Sequence, residues 1–128
     1  MSWQEYVDVN LLGTGNVTAA GIYDLKGNPW AYSAGFAAQV EEVAAVSDHF
    51  ATPPDLAATG VTIAGVKYMF VRGYENEDIY VKRGNTGVCF RRCKTCIIVG
   101  YHDDTIPAGA CAQAVGKLAE YLADEHGF

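Results

Sequence analysis

The residues best equipped for chemistry cluster late in the chain. Cys93-Lys94-Thr95-Cys96 forms a C-x-x-C, with Arg91 and Arg92 just before it and Cys89 a little further upstream. Nearby cations favour the thiolate, so the run suits thiol–disulfide chemistry. Cys89, Cys93 and Cys96 together also offer three sulfur ligands for a metal such as zinc. Each reading meets an obstacle. A redox C-x-x-C normally opens a helix in a βαβ unit, whereas this one separates two strand-like runs, which places it in a hairpin turn. No fourth ligand stands at a familiar zinc spacing. With Cys111, the cysteines make a poor disulfide framework and are expected to be reduced, small and mostly buried. A small thiol-redox or metal-binding domain therefore stays as the alternative reading.

Other catalytic patterns are missing. There is no Walker loop, no G-x-G-x-x-G opening a helix, no H-E-x-x-H and no G-x-S-x-G. His49 at a helix end, His102 in a loop and His126 near the last residue read as isolated surface histidines. Asp103-Asp104 reads as turn or cap chemistry. No enzyme, cofactor or metal is expected.

The aromatic set is a stronger lead. Trp3 and Tyr6 lie on a first helix, Trp30 on an early strand, Tyr121 at the edge of the last helix, and the chain ends in Phe128. Exposed, rigid aromatics with N–H or O–H tips suit a polyproline II ligand, whose rings stack between them while its unpaired carbonyls accept hydrogen bonds. The competing reading is that Trp3 and Trp30 are simply core.

Charge is segregated. Residues 67–94 hold seven of the nine Lys and Arg against Glu75, Glu77 and Asp78, leaving that stretch at +4 within a chain of net charge −6. One basic face suited to an acidic partner follows; the alternative is an ordinary solvated sheet face. At 128 residues, 50% hydrophobic, the chain is expected to form a single domain over residues 1–128 with enough core to fold without disulfides. Its apolar runs fall short of the roughly 20 residues a membrane-spanning helix needs, and no basic segment with an apolar h-region opens it, so a soluble, cytosolic protein is expected.

The elements that must position these groups can be read in turn. Ser2 and Glu5 form a capping box, starting a short amphipathic helix with Trp3, Tyr6, Val7, Asn10 and Leu11 along one side and Gly13-Thr14-Gly15 as its stop. Residues 16–24 and 29–34 flank a turn at 25–28 and read as a β-hairpin. A helix of about three turns follows over AAQVEEVAAVSDHF and ends before Pro53-Pro54. Five strand-like runs, VTIA, VKYMFVRG, DIYVKR, GVCFRR and TCIIVGY, imply consecutive antiparallel pairing. Pro107 opens a last helix whose stripe of Cys111, Val115, Leu118 and Leu122 should face the sheet.

Taken in order, SWQEYVD, NPWAYSAGF, GVKYMFVRG, the KRGNTG turn and a C-terminal P-x-G with KLAEYL and a final GF resemble the profilin family through essentially the whole chain. The resemblance implies an α/β (α+β type) fold. It has a central antiparallel sheet of about six to seven strands, the N- and C-terminal helices on one face and smaller helical segments on the other. It further implies a non-enzymatic, monomeric, cytoplasmic and cytoskeleton-associated regulator of actin polymerisation that does not bind nucleic acid. Such a protein would bind monomeric actin, speed its nucleotide exchange and bind proline-rich filament-assembly factors. Carried over residue by residue, the proline-binding set is Trp3, Tyr6, Trp30, Tyr121 and Phe128. The actin-binding set is Lys67, Met69, Arg72, Lys82, Arg83, Ile106, Gly109, Gln113 and Lys117. Phosphoinositide headgroups are implied as a further partner, for which Lys82, Arg83, Arg91, Arg92 and Lys94 are the candidates.

Overall fold

The computed structural model describes residues 2–128. The expected capping box is present: the Glu5 N–H donates to Ser2 Oγ at 3.1 Å, and the Ser2 N–H donates to the Glu5 carboxylate at 3.3 Å. Trp3–Glu5 (α1) is α-helical, but Tyr6–Leu11 widens into a π-helix and Leu12–Thr14 tightens into a 3-10 turn that Gly15 ends at φ 76°. The sequence predicts one continuous α-helix here. Widening to i→i+5 bonding, as in the Leu12 N–H donating to the Val7 carbonyl, turns Tyr6 and Leu11, five residues apart, toward the same face. Both are buried there with Val7.

Seven strands form the sheet: β1 (Ala19–Asp24), β2 (Pro29–Tyr32), β3 (Val61–Ile63), β4 (Val66–Tyr74), β5 (Asp78–Arg83), β6 (Thr86–Arg92) and β7 (Cys96–His102). Their order is β2-β1-β7-β6-β5-β4-β3, every neighbour antiparallel. The meander from β3 to β7 is the consecutive pairing the turn chemistry implied. The β1–β2 hairpin is closed by Asp24, whose carboxylate accepts from the Lys26 and Asn28 N–H groups at 2.9 Å each. It attaches to the far edge of β7 in the register Ala20↔Gly100, Ile22↔Ile98.

Alternation along the strands divides the apolar residues between two cores. On one face, Tyr80, Cys89, Ile98 and Ala20 meet α4 (Ala108–His126) and the N-terminal helix through Cys111, Val115, Leu118, Leu122, Val7 and Leu11. The predicted stripe on the last helix is therefore the buried one. On the other face, Ile79, Val81, Phe90, Ile97 and Val99 meet α2 (Val40–Ser47), α3 (Leu56–Thr59) and the segment between them through Val43, Val46, Leu56 and Phe50. Helix α2 is shorter than expected, because its capping box forms late, between Gln39 and Glu42.

His102 departs from its expected place on a loop surface. It ends β7 with only 2% of its surface exposed. Its Nε2 lies 2.8 Å from the Tyr80 hydroxyl and its Nδ1 3.0 Å from the Asp103 carbonyl. The residue across the ladder is Gly87, where a Cβ would come within 2.8 Å of His102 Nε2. Glycine there leaves the room the ring occupies.

Candidate functional site

The five candidate aromatics converge. The capping box fixes α1 so that Trp3 reaches across to Trp30, which bulges from β2, with ring centroids 4.7 Å apart. Phe128, carried back by Gly127 in the left-handed region (φ 72°) after α4, meets Trp3 at 4.8 Å and Trp30 at 6.3 Å. Tyr6 joins Trp3 at 5.8 Å and Tyr121 at 6.1 Å. Tilted and edge-on contacts of this kind suit the ring quadrupoles. The set lies on the rim of the α4 core: Trp3, Trp30 and Phe128 are half-buried against it, and Tyr121 is 44% exposed. Tyr6 corrects the expectation of an exposed aromatic, since Tyr121 and His126 close over it and leave 5% of its surface. Burial pushes the Tyr6 phenol above its ordinary value, and the Tyr121 hydroxyl adds to the shift.

His126, read from sequence as an isolated surface residue, belongs to this set. Its Nε2 is 3.3 Å from the Tyr6 hydroxyl, and its ring packs edge-on to Tyr121 at 5.6 Å and tilted to Phe128 at 6.1 Å. Its i+5 offset from Tyr121 on a helix hides the relation, which appears only once α1 lies alongside α4.

The second candidate surface lies beyond the start of α4, on β4 and the end of β5 around Lys82. Met69 and Lys82 are cross-strand partners, and Met69 is 74% exposed. Lys67 lies two residues from Met69 along β4. After a bulge between Phe70 and Arg72 the Arg72 guanidinium covers the Tyr80 ring at 5.0 Å. Lys82 shares a hollow of about 370 Å³ with Tyr80, His102, Ile106 and Ala108, at the start of α4. Gly109, Gln113 and Lys117 are exposed on the outer side of that helix, although Lys117 leans toward Val9 and Tyr121 on the N-terminal helix side. Arg83 stands apart. Being next to Lys82 on a strand it points to the opposite face, where it lines a hollow with Val66, Tyr68 and Tyr101.

The five phosphoinositide candidates are not gathered into one site. Lys82 and Arg83 lie at one end of the β5–β6 pair and Arg91 at the other, opposite Asp78, about 13 Å along the strands at 3.3 Å per residue. Arg92 follows Arg91 on the other face, and Lys94 is in the next turn. Arg91 is already engaged, with Glu77 at 3.4 Å and Glu120 at 3.9 Å.

All four cysteines are buried and free, as expected, and they form two pairs. Cys111 donates its S–H to the Gly100 carbonyl at 3.6 Å, and the neighbouring Cys111 thiol together with burial pushes the Cys89 thiol up. Cys93 and Cys96 face each other across the β6–β7 turn, with the Cys93 N–H donating to the Cys96 carbonyl at 2.8 Å. The hairpin placement is the one the spacing implied. Cys89, Cys93 and Cys96 do not make a three-ligand site: among the described residues no cluster of three or more His, Cys, Asp and Glu could hold a metal ion. Nor is any helix among them long and apolar enough to cross a membrane.

Comparison with known proteins places this arrangement in context. Residues 1–126 match the profilin family model. Profilin-1A of Acanthamoeba castellanii is 43% identical over 122 residues, which span 95% of this chain and 96% of that protein. The crystal structure of Acanthamoeba castellanii profilin II superimposes with a TM-score of 0.94 at 39% identity, covering 99% of this chain and 100% of the other. The fold is shared with mouse profilin IIa, solved in complex with a double repeat from the FH1 domain of mDia1, at a TM-score of 0.80, 23% identity and full coverage (100%) of both chains.

Proposed function

The chain belongs to the profilin family, and from that premise we propose that it regulates actin polymerisation by holding monomeric actin and a proline-rich segment on separate surfaces. The observation that carries the reading is the convergence of Trp3, Trp30 and Phe128 within 4.7 to 6.3 Å from three distant parts of the chain. A polyproline II helix has three residues per turn and no internal hydrogen bonds, so its carbonyls need donors and its rings need flat apolar walls. Trp3, Trp30, Tyr121 and Phe128 supply the walls. The indole N–H groups and the Tyr121 hydroxyl supply donors, and Tyr6 supports the set from beneath.

For actin, the exposed Met69 is an apolar contact ringed by Lys67, Arg72 and Lys82, with Ile106, Gly109 and Gln113 continuing the surface onto α4. The basic ring steers an acidic partner and the methionine supplies desolvated contact area. Lys117 falls on the margin of this surface, and Arg83 lies on the reverse face of the sheet. The two surfaces lie at opposite edges of the seven-stranded sheet and near opposite ends of α4, whose 19 residues span roughly 28 Å. One molecule can therefore carry both partners, which is the requirement for delivering monomers to a filament-assembly factor. No bond is made or broken in this activity, and it belongs in the cytoplasm, where actin is. A phosphoinositide headgroup would meet Lys82 on one face, Arg83 on the other, or Arg92 with Lys94, so it would compete with actin only at Lys82.

Titration with poly-L-proline followed by tryptophan fluorescence tests the groove, and nucleotide exchange on labelled actin tests the second surface. Unchanged emission, together with a Trp3→Ala variant altered only in stability, would return the aromatics to the core. Exchange unaffected by the protein would remove the actin surface.

A further inference from the structure

The Cys93–Cys96 pair has no part in either surface, yet it is built into the turn that anchors one of them. We propose that Cys93 and Cys96 form a reversible dithiol–disulfide couple, oxidised by a small-molecule disulfide, that loosens the anchoring of Phe128 in the aromatic groove. The second half of this inference rests on the proline-binding reading; the first does not.

Geometry supplies the pairing. Arg92 is opposite Ile97, so Cys93 and Cys96 are the next rung of the ladder, and the Cys93 N–H to Cys96 carbonyl bond makes it a hydrogen-bonded rung. Cα atoms in such a rung lie about 5.5 Å apart, inside the range a disulfide spans. Directly opposite residues also project to the same face, and both side chains enter the α4 core. The two thiols are differentiated. Cys96 is fully buried, and the adjacent Cys93 thiol together with burial pushes its own thiol up; Cys93 keeps 7% exposure with its Sγ 3.9 Å from the Ala119 carbonyl, and the adjacent Cys96 thiol, Arg91 and Arg92 hold its thiol down against the effect of burial. Cys93 is thus the attacking sulfur and Cys96 the resolving one. Cys89 and Cys111 provide an internal contrast, since Cys89 is raised and both are enclosed between β6 and α4.

The chemistry closes without any further reactant. The Cys93 thiolate attacks one sulfur of the small disulfide and expels a first small thiolate. Cys96 gives its proton to solvent and attacks the Cys93 sulfur of the mixed disulfide, expelling a second. The protein loses two electrons and two hydrogens, which end on two small thiols.

The link to the groove is Thr95, between the two cysteines in the turn. Its N–H donates to the Phe128 carbonyl at 2.9 Å and its hydroxyl donates to the same oxygen at 3.4 Å. Phe128 packs on Trp3 and Trp30. Opposed Cβ atoms in a rung are about 4.5 to 5.5 Å apart, whereas a disulfide holds them near 3.8 Å. A hydrogen-bonded rung lies at the wide end of that range, so oxidation draws the turn closed by roughly 1.5 Å and shifts Thr95 away from the position that holds Phe128.

The test equilibrates the full chain with glutathione and glutathione disulfide at graded ratios, then maps thiols by alkylation and intact mass. The expected result is loss of two hydrogens localised to the peptide carrying Cys93 and Cys96, with Cys89 and Cys111 still alkylated after unfolding. Cys96→Ser is expected to stop at a glutathione adduct on Cys93. Retention of all four thiols under glutathione disulfide alone, or a bond between Cys89 and Cys111 instead, would overturn the couple. In the second arm, poly-L-proline affinity is measured on the reduced and oxidised forms, with a severalfold weaker Kd expected on oxidation. Equal affinity of the two forms would overturn the coupling alone. Failure of both forms to bind would overturn the proline-binding reading and leave the disulfide to be judged by mass.

Discussion

The indole rings of Trp3 and Trp30 meet at 4.7 Å although one belongs to a short N-terminal helix and the other to a bulged strand. Neither residue is fully buried, so the pair is a rim contact. Core tryptophans would be enclosed. That difference separates packing from binding in mutants. Tyr121, 44% exposed at the same rim, gives the cleaner variant. Tyr121→Ala partly uncovers Tyr6 and should cost about 1 kcal/mol of stability, while weakening poly-L-proline binding about tenfold, measured by urea denaturation and by tryptophan fluorescence respectively.

Adjacent strand residues separate the proposed actin surface from its reverse side. Lys82→Glu places a like charge against an acidic partner beside Met69 and should weaken actin binding by tenfold or more, about 1.4 kcal/mol. Arg83→Glu, on the opposite face, should change it by less than about threefold. Nucleotide exchange on labelled actin, with each variant alone, reads both. Equal losses would mean that actin wraps the end of the β5–β6 hairpin.

Glu42 ties α2 to the turn between β3 and β4. Its carboxylate accepts from the Gln39 N–H at 2.8 Å, the Ala64 N–H at 2.7 Å and the Gly65 N–H at 3.0 Å, and Ala64 sits at φ 54° in that turn. Removing the acceptor leaves three donors and a left-handed alanine unsupported. Glu42→Ala should cost about 2 kcal/mol in the denaturant midpoint, while Glu42→Gln, which keeps one acceptor, should cost about half as much.

Asp103 gives the acid limb of stability a specific contributor. The Thr105 hydroxyl and N–H hydrogen-bond its carboxylate and hold its pKa below the usual carboxylate value, with Thr18 and His102 adding to the shift. A depressed folded pKa contributes stability above the unfolded value of about 4 and loses it as pH falls through the folded value. Asp103→Asn should therefore lower stability at pH 7 and leave it unchanged well below pH 4. Urea midpoints of both proteins should converge as the solution is acidified.

Local chemistry was the readable part of this chain. The Ser2–Glu5 box, the Asp24 turn and the Cys111–Leu122 stripe each depend on residues a few positions apart, and each stands where the sequence placed it. What escaped depended on neighbours distant in sequence. Tyr6 is buried because Tyr121 and His126 close over it from the last helix. His102 is buried because Gly87 faces it from another strand. The π-helix at Tyr6–Leu11 lets two residues five apart dock on a core that no local pattern describes. Arg83 could have been set apart from Lys82 by strand alternation alone, since neighbours on a strand face opposite ways.

The order β2-β1-β7 also has a consequence for synthesis. A nascent chain can assemble the β1–β2 hairpin and the meander from β3 onward rung by rung, but β1 must wait roughly eighty residues for its second partner, β7. Trp3 and Trp30 wait longer still, because Phe128, which follows α4, is their third wall. Until α4 and the residues that follow it have been made, a nascent chain displays two indoles without that wall, a surface of the sort that holdase chaperones bind.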